Sequence, residues 1–410
     1  MNRHDRQQRQ PWTVLTQVTM AAAMVWGLAA EDAVARRRTT PDGVVVETKR
    51  MPKSKTVSIR LGVSAGGADQ GGVLSGTPHY LEHLLFHGPG RRLVAHVEAC
   101  GGVYNAYTSG TSTVYIVDIS PDCAEKAVVL LVQAVTNPNF DAMDVESERS
   151  IVLAEAAERG AQMQVLDAVD MMMFGGANDG TIIGSKWDIA RINKRHLRQF
   201  YQGYYTPRRM KVVVTGDIDA VKMERLVTEN ILLFPSRESL TSKRETPEDA
   251  PLITLRTGQK WDAVAIHSPR LTMDQCQSLA LAVEVALQRR LVIAKPTFST
   301  VSSSCVPLRE QLFIVTMAKP PPTTVVETHG DIRKLLQDVR NNGLTNAERR
   351  VWSRQDKARR RRVAQGASGQ ATRMLDGLMR GNAKSTNASA PQGLARASWT
   401  QFRTAEISVR

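Results

Sequence analysis

The segment Thr77-Pro78-His79-Tyr80-Leu81-Glu82-His83 constrains this chain more than any other. Proline one residue after threonine reads as the first turn of a helix. On a helix, positions i and i+4 share a face, so His79 and His83 offer two imidazoles to one point. Glu82 stands beside them, close enough for its carboxylate to meet a water held there. Two imidazoles and one carboxylate are metal-site chemistry, and a catalytic zinc site takes a third protein ligand and leaves one position open. The fold must therefore carry a distant side chain to this helix. Taken alone, the pentapeptide also fits a polar helix face with two ordinary histidines.

The candidate for the distant group lies in Glu148-Arg-Ser-Ile-Val-Leu-Ala-Glu155-Ala-Ala-Glu158. Glu148 and Glu155 are seven residues apart, two helical turns, so they face the same way. Glu155 sits among Leu153, Ala154 and Ala156, surroundings in which a carboxylate is costly unless a metal or partner compensates it. Glu158 reads as a solvent-facing acid.

Around these motifs the pattern alternates between strand and helix. Residues 42–49 and 55–65 read as strands, followed by a glycine-rich loop from Gly66 to Gly76. Residues 103–119 hold two strand-like runs around Ser109-Gly110. Residues 122–134 and 141–158 read as helices, and a long helix-and-loop region leads to Ile189–Tyr205. Lys211–Gly216 is a buried strand and Asp219–Asn230 a helix. The polar stretch 236–251, with two prolines, reads as a linker. The order then recurs: strand (Ala263–Ile266), helix (Asp274–Arg290), strand (Glu310–Met317), helix (Val326–Asn341) and a basic helix (Thr345–Gln365). The expected fold class is α+β, with two sandwich halves of one layout, each a mixed, largely antiparallel sheet with helices on one face.

Composition narrows the function classes. A hydrophobic fraction of 42% over 410 residues suffices for a large core. No stretch reaches 18 strongly apolar residues, which argues against an integral membrane span. Cys100, Cys123, Cys276 and Cys305 are scattered without any CxxC, which argues against a disulfide framework or a cysteine zinc knuckle. The net charge of +14 is local: residues 332–410 hold 17 Lys/Arg against 5 Asp/Glu. Such a region can meet an anionic partner, or it can be a solvated helix face. Its few aromatics fit single-strand stacking poorly.

Residues 1–38 read as a targeting segment. Arg3, Arg6 and Arg9 precede a mildly apolar run and Arg36–Arg38 follow it, as in a mitochondrial transit peptide. A secretory signal ending near Ala33-Val34-Ala35 and an N-terminal anchor are the alternatives. The domains expected after it are 39–235 (metal-binding), 252–385 (a degenerate second half) and a polar basic tail, 386–410.

His79–His83 has the HxxEH order of the inverzincins. Together with Val103–Ser109, Val114-Tyr115, Glu148-Arg149-x-x-Val152-x-x-Glu155 and Tyr204–Asp217, it resembles the pitrilysin-type zinc peptidases, in particular their mitochondrial-processing beta-type branch. The resemblance covers residues 40–235 well and 250–385 loosely. It implies a zinc endopeptidase acting on presequences or other peptides. His79, His83 and Glu155 would be zinc ligands, Glu82 the general base and Glu148 the acid that orients a ligating histidine. Asn105, Ala106 and Tyr107 would lie on the edge strand that receives substrate, and Asp167 would be one of an acidic pair that reads a substrate arginine. The other member falls near Met163, which is apolar. It also implies an alpha-type partner subunit and a matrix location, with a periplasmic or secreted homologue as the alternative. The family's second-half Arg/Tyr pair has no counterpart, since all seven tyrosines lie between Tyr80 and Tyr205. That departure fits a structural core-type subunit of a respiratory or ribosomal assembly as the competing reading.

Overall fold

The computed structural model describes residues 35–158, 182–231, 240, 251–257, 261–267, 271–292, 300–308, 311–319, 328–380 and 403–404. Six strands build the first sheet: β1 (Arg36–Thr39), β2 (Val45–Arg50), β3 (Val57–Val63), β4 (Val103–Thr108), β5 (Thr113–Ile119) and β6 (Met210–Gly216). Their order is β1-β2-β6-β3-β5-β4, antiparallel throughout except for the parallel pair β2 and β6. The run Val212-Val213-Val214 lies in the middle of this sheet and is buried on both faces, as a continuous apolar strand should be. Arg36–Arg38 pair with Thr48–Val46 on β2. The domain boundary drawn at residue 38 therefore falls inside a strand; residues 1–34 lie outside the described residues.

Among the described residues seven helices cover one face: α1 (Thr77–Leu84), α2 (Gly90–Ala99), α3 (Pro121–Thr136), α4 (Ala142–Ala157), α5 (Lys186–Arg191), α6 (Lys194–Tyr204) and α7 (Ala220–Ile231). Each sends at least one buried apolar side chain into a single core against Val46, Ile59, Leu61, Val117 and Val212. The stretch Ile189–Tyr205 is divided between two helices. Asn193 interrupts it as an N-cap, its side chain accepting from the backbone N–H of Arg195 and His196. Helix α2 was not among the expected elements; it begins at Gly90, the last residue of a Gly88-Pro89-Gly90 turn.

The second sheet runs β11-β7-β8-β10-β9, from β7 (Pro251–Thr257), β8 (Trp261–His267), β9 (Thr300–Leu308), β10 (Gln311–Lys319) and the short β11 (Arg403–Thr404). Helices α8 (Met273–Leu287) and α9 (Thr328–Asn342) pack on it through Leu279, Val283, Ile314, Leu336 and Val339. The expected basic helix is α10 (Asn346–Gln365), opened by a capping box between Thr345 and Glu348. Part of its charge is neutralised internally: Arg359 and Arg360 pair with Asp356 and Asp274. Arg350, Arg354, Lys357 and Arg361 remain exposed along it.

A final helix, α11 (Ala367–Met379), leaves the second half and covers the other face of the first sheet. Ala371, Met374 and Leu375 pack on Val114 and Val213. Gly62 on β3 admits this approach, because a Cβ there would stand 3.0 Å from Met379 Sδ and 3.1 Å from Leu375. Beside it Arg60, only 3% exposed, pairs with Asp118 at 2.8 Å and donates to Ser368 Oγ at 2.7 Å.

The cysteines correct the sequence reading. They form two disulfides, Cys100–Cys123 and Cys276–Cys305, and none is free. The first joins the end of α2 to the first turn of α3, and the second joins α8 to β9. Partners 23 and 29 residues apart carry no local spacing signal, so only the packing of the elements reveals them. Among the described residues no helix is long and apolar enough to cross a membrane.

Candidate active site

Helix α1 is held at both sides. Gly76 caps it with φ +86, and a Cβ at this position would lie 2.3 Å from the Ile183 carbonyl oxygen. Only glycine tolerates both the left-handed backbone and that contact. Tyr80, Leu81 and Leu84 point into the core, which turns His79, Glu82 and His83 toward a groove. The Tyr80 hydroxyl donates to the Val145 carbonyl, tying α1 to α4, and Arg149 donates to the Ile189 carbonyl at 2.7 Å, tying α4 to α5. These ties place the two acids of α4 opposite the histidines.

The three expected ligands converge. His79 Nε2 lies 3.7 Å from Glu155 Oε1, and His83 Nε2 lies 3.5 Å from Glu155 Oε2. Tetrahedral zinc with bonds of about 2.0–2.1 Å needs ligand atoms roughly 3.3–3.5 Å apart. The donor set of two imidazoles and one carboxylate, already near this spacing, fits the ion. Glu155 is half-exposed on the groove, not enclosed in apolar side chains as its neighbours in sequence suggested. Leu153 and Ala156 turn toward the core, while Ala154 shares Glu155's exposure. Glu158 is exposed, as expected.

Glu148 is buried and bonds His83 Nδ1 through Oε2 at 3.0 Å. That contact puts the ring proton on Nδ1 and leaves Nε2 to face the metal position. Burial raises the Glu148 carboxyl, but its hydrogen bonds to His83 and His87 outweigh this and hold it below the usual range. Burial opposes charge on His83 as well, yet bonds to Glu148 and Glu155 lift it to about 9. The hydrogen bond to His83 holds the Glu155 carboxyl low.

Glu82 has a different environment. It is 6% exposed, and burial raises its carboxyl to about 7 despite the opposing hydrogen bond from Thr108. Thr108 Oγ1 donates to Glu82 Oε2 at 2.6 Å. A carboxylate poised near neutrality beside a metal position has the protonation behaviour of a general base.

The floor of the groove is β4, the edge strand of the sheet. Asn105 and Tyr107 are exposed on one face, while Ala106 and Thr108 turn to the helix side. Among the described residues no strand pairs with the outer edge of β4, so its backbone can receive an extended chain. The groove has a volume of about 600 Å³, and Ile182 and Ile183 are among its lining residues. Asp167 and Met163 lie outside the described residues.

Two contributors escaped the sequence reading. Thr108 was placed on the substrate strand without its bond to Glu82. His87 repeats the four-residue spacing of His79 and His83, a visible signal, but its partner Glu148 is 61 residues away.

Residues 45–184 match the family described as Insulinase (Peptidase family M16), and residues 191–267 match the Peptidase M16 inactive domain. The chain belongs to peptidase family M16. Zinc is the cofactor that membership implies. An uncharacterized zinc protease of Mycobacterium leprae is 32% identical to this M16 chain over 252 residues, 58% of this chain and 56% of the relative. The beta subunit of the mitochondrial-processing peptidase of Lentinula edodes is 31% identical over 221 residues, 52% of this chain and 47% of the relative. The chain thus spans about half the length of the curated relatives it matches. The fold is that of a protease from Helicobacter pylori, with a TM-score of 0.72 at 21% identity, over 85% of this chain and 90% of that one.

Proposed function

We propose that this chain is the metal-bearing chain of a zinc endopeptidase that takes its substrate as an added strand along β4. The observation that carries the reading is the meeting of His79, His83 and Glu155 beside a buried Glu82 at the edge of an open strand. Zinc held by those three residues would polarise a scissile carbonyl and acidify a water. The chain's own residues do the rest. The peptide backbone pairs with β4, and alternate substrate side chains fall toward Tyr104, Ala106 and Thr108. Thr108 holds Oε2 of Glu82, so proton transfer falls to Oε1. There the carboxylate takes the proton from the attacking water and delivers it to the leaving amine.

A partner of the same fold family completes the substrate chamber. The resemblance to the processing-peptidase beta subunit supports an alpha-type partner. The two disulfides weigh on location: such bonds persist in oxidising compartments, which favours the periplasmic or secreted alternative over the mitochondrial matrix.

The test is peptide cleavage by the zinc-loaded chain, alone and with candidate partner chains, for the wild type and Glu82→Gln. Glu82→Gln is expected to keep zinc and lose turnover by several orders of magnitude. Cleavage by Glu82→Gln at the wild-type rate would overturn the assignment.

A further inference from the structure

We infer that His87 is a positioning residue for the metal ligand His83, acting through Glu148. This rests on the zinc-peptidase reading and adds a residue to its machinery.

Helix α1 ends at Leu84, yet the chain keeps winding. Phe86 N–H donates to the His83 carbonyl at 3.2 Å, and His87 N–H donates to the Leu84 carbonyl at 3.0 Å. The third histidine thus stays on the side of the first two. Its Nε2–H donates to Glu148 Oε1 at 2.7 Å, while the other oxygen, Oε2, accepts from His83 Nδ1–H at 3.0 Å. Each oxygen of Glu148 therefore has its own imidazole. On the far side Arg91 Nη2 stands 3.4 Å from His87 Nδ1, and Arg91 also bonds Asp144, one turn before Glu148 on α4. Asp144 Oδ1 lies 3.2 Å from the same ring nitrogen. Asp144 and Glu148 are 8% and 7% exposed, so water does not substitute readily for these contacts.

A carboxylate held at one oxygen can swing about its terminal torsion, whereas one held at both cannot. Among the described residues Oε1 of Glu148 has no hydrogen-bond partner but His87. Removing it frees Glu148 and so loosens the ring of His83. Losing an outer partner of a metal ligand costs about 10–100-fold in metal affinity. His87 stands one bond further out, so a loss of roughly threefold to tenfold is expected.

The experiment measures the zinc dissociation constant by chelator competition, with the melting temperature of the metal-free protein recorded for each variant. His87→Ala is expected to weaken zinc binding by about threefold to tenfold. His87→Gln, whose side-chain amide can donate to Oε1, is expected to recover most of that loss. In a Glu148→Gln background, His87→Ala is expected to have no further effect. If His87→Ala does not fold, His87→Leu removes the donor while keeping the volume and takes its place in each comparison. Zinc affinity within twofold of wild type, or an undiminished effect in the Glu148→Gln background, would overturn the inference. So would a glutamine variant as weak as the alanine one. A wild-type protein that binds no zinc would instead overturn the peptidase reading, so the two failures are distinguishable.

Discussion

Replacing Thr108 by valine removes one hydroxyl and nearly nothing else, which makes it a sharp probe of the proposed base. Thr108 donates to a carboxylate that is 6% exposed, and that bond opposes the burial that raises Glu82 to about 7. A hydrogen bond to a charged group contributes about 1.5–3 kcal/mol. At about 1.4 kcal/mol per pKa unit, its loss moves Glu82 up by about one to two units. The ionised fraction at pH 7 then falls about fivefold to fiftyfold, and kcat/KM falls with it. The deficit closes at high pH, where both proteins are ionised. The assay is kcat/KM for a fluorogenic peptide from pH 5 to pH 9, in wild type and Thr108→Val. The expected result is an acidic limb displaced upward by about one unit or more. An unmoved limb, or a loss equal at every pH, would refute the reasoning and leave Thr108 as a packing residue only.

Other outcomes follow from the same structure. Arg60→Met strands the partly buried Asp118 without its cation, and urea unfolding should register a loss of about 3 kcal/mol. The Asp356 and Glu348 carboxyls are raised by burial but held low overall by their arginine partners, Arg359 and Arg360 for the first and Arg290 for the second. Carboxyls depressed in the folded state stabilise it above their unfolded pKa values, about 4, and that contribution fades as pH falls further. Urea midpoints should therefore drop steeply between pH 5 and pH 3, less so in Asp356→Asn. Opening the Cys276–Cys305 bridge with paired alanines releases a loop of 29 residues, expected to cost about 3–4 kcal/mol. Peptide mapping under non-reducing conditions should recover both cysteine pairs.

The two halves of the candidate metal site were legible because the spacing within each is local. Four-residue spacing alone puts His79 and His83 on one face, and seven-residue spacing aligns Glu148 with Glu155. The central strand was legible because Val212-Val213-Val214 has no polar side to expose. What stayed hidden depends on which elements meet. The surroundings of Glu155 misled because apolar neighbours on a helix point around the axis, so they say little about its burial. Helix α11 shows an amphipathic pattern but nothing in that pattern names the sheet it covers; Gly62 marks the place only after the two are seen together. Strand β9 carries Ser302-Ser303-Ser304, a poor strand sequence held in register by β10 through nine paired positions. The cysteines gave no local signal because their partners lie tens of residues away, and the spacing of His87, though visible, did not name Glu148 as its partner.

The central claim is that His79, His83 and Glu155 hold one zinc ion. The most direct measurement is the zinc content of purified protein by elemental analysis, for wild type, His79→Ala and Glu155→Gln, with folding checked by circular dichroism. The account predicts about one zinc per folded wild-type chain, absent from His79→Ala and sharply reduced in Glu155→Gln. A folded wild-type protein without zinc, or a His79→Ala variant that retains it in full, would contradict the account.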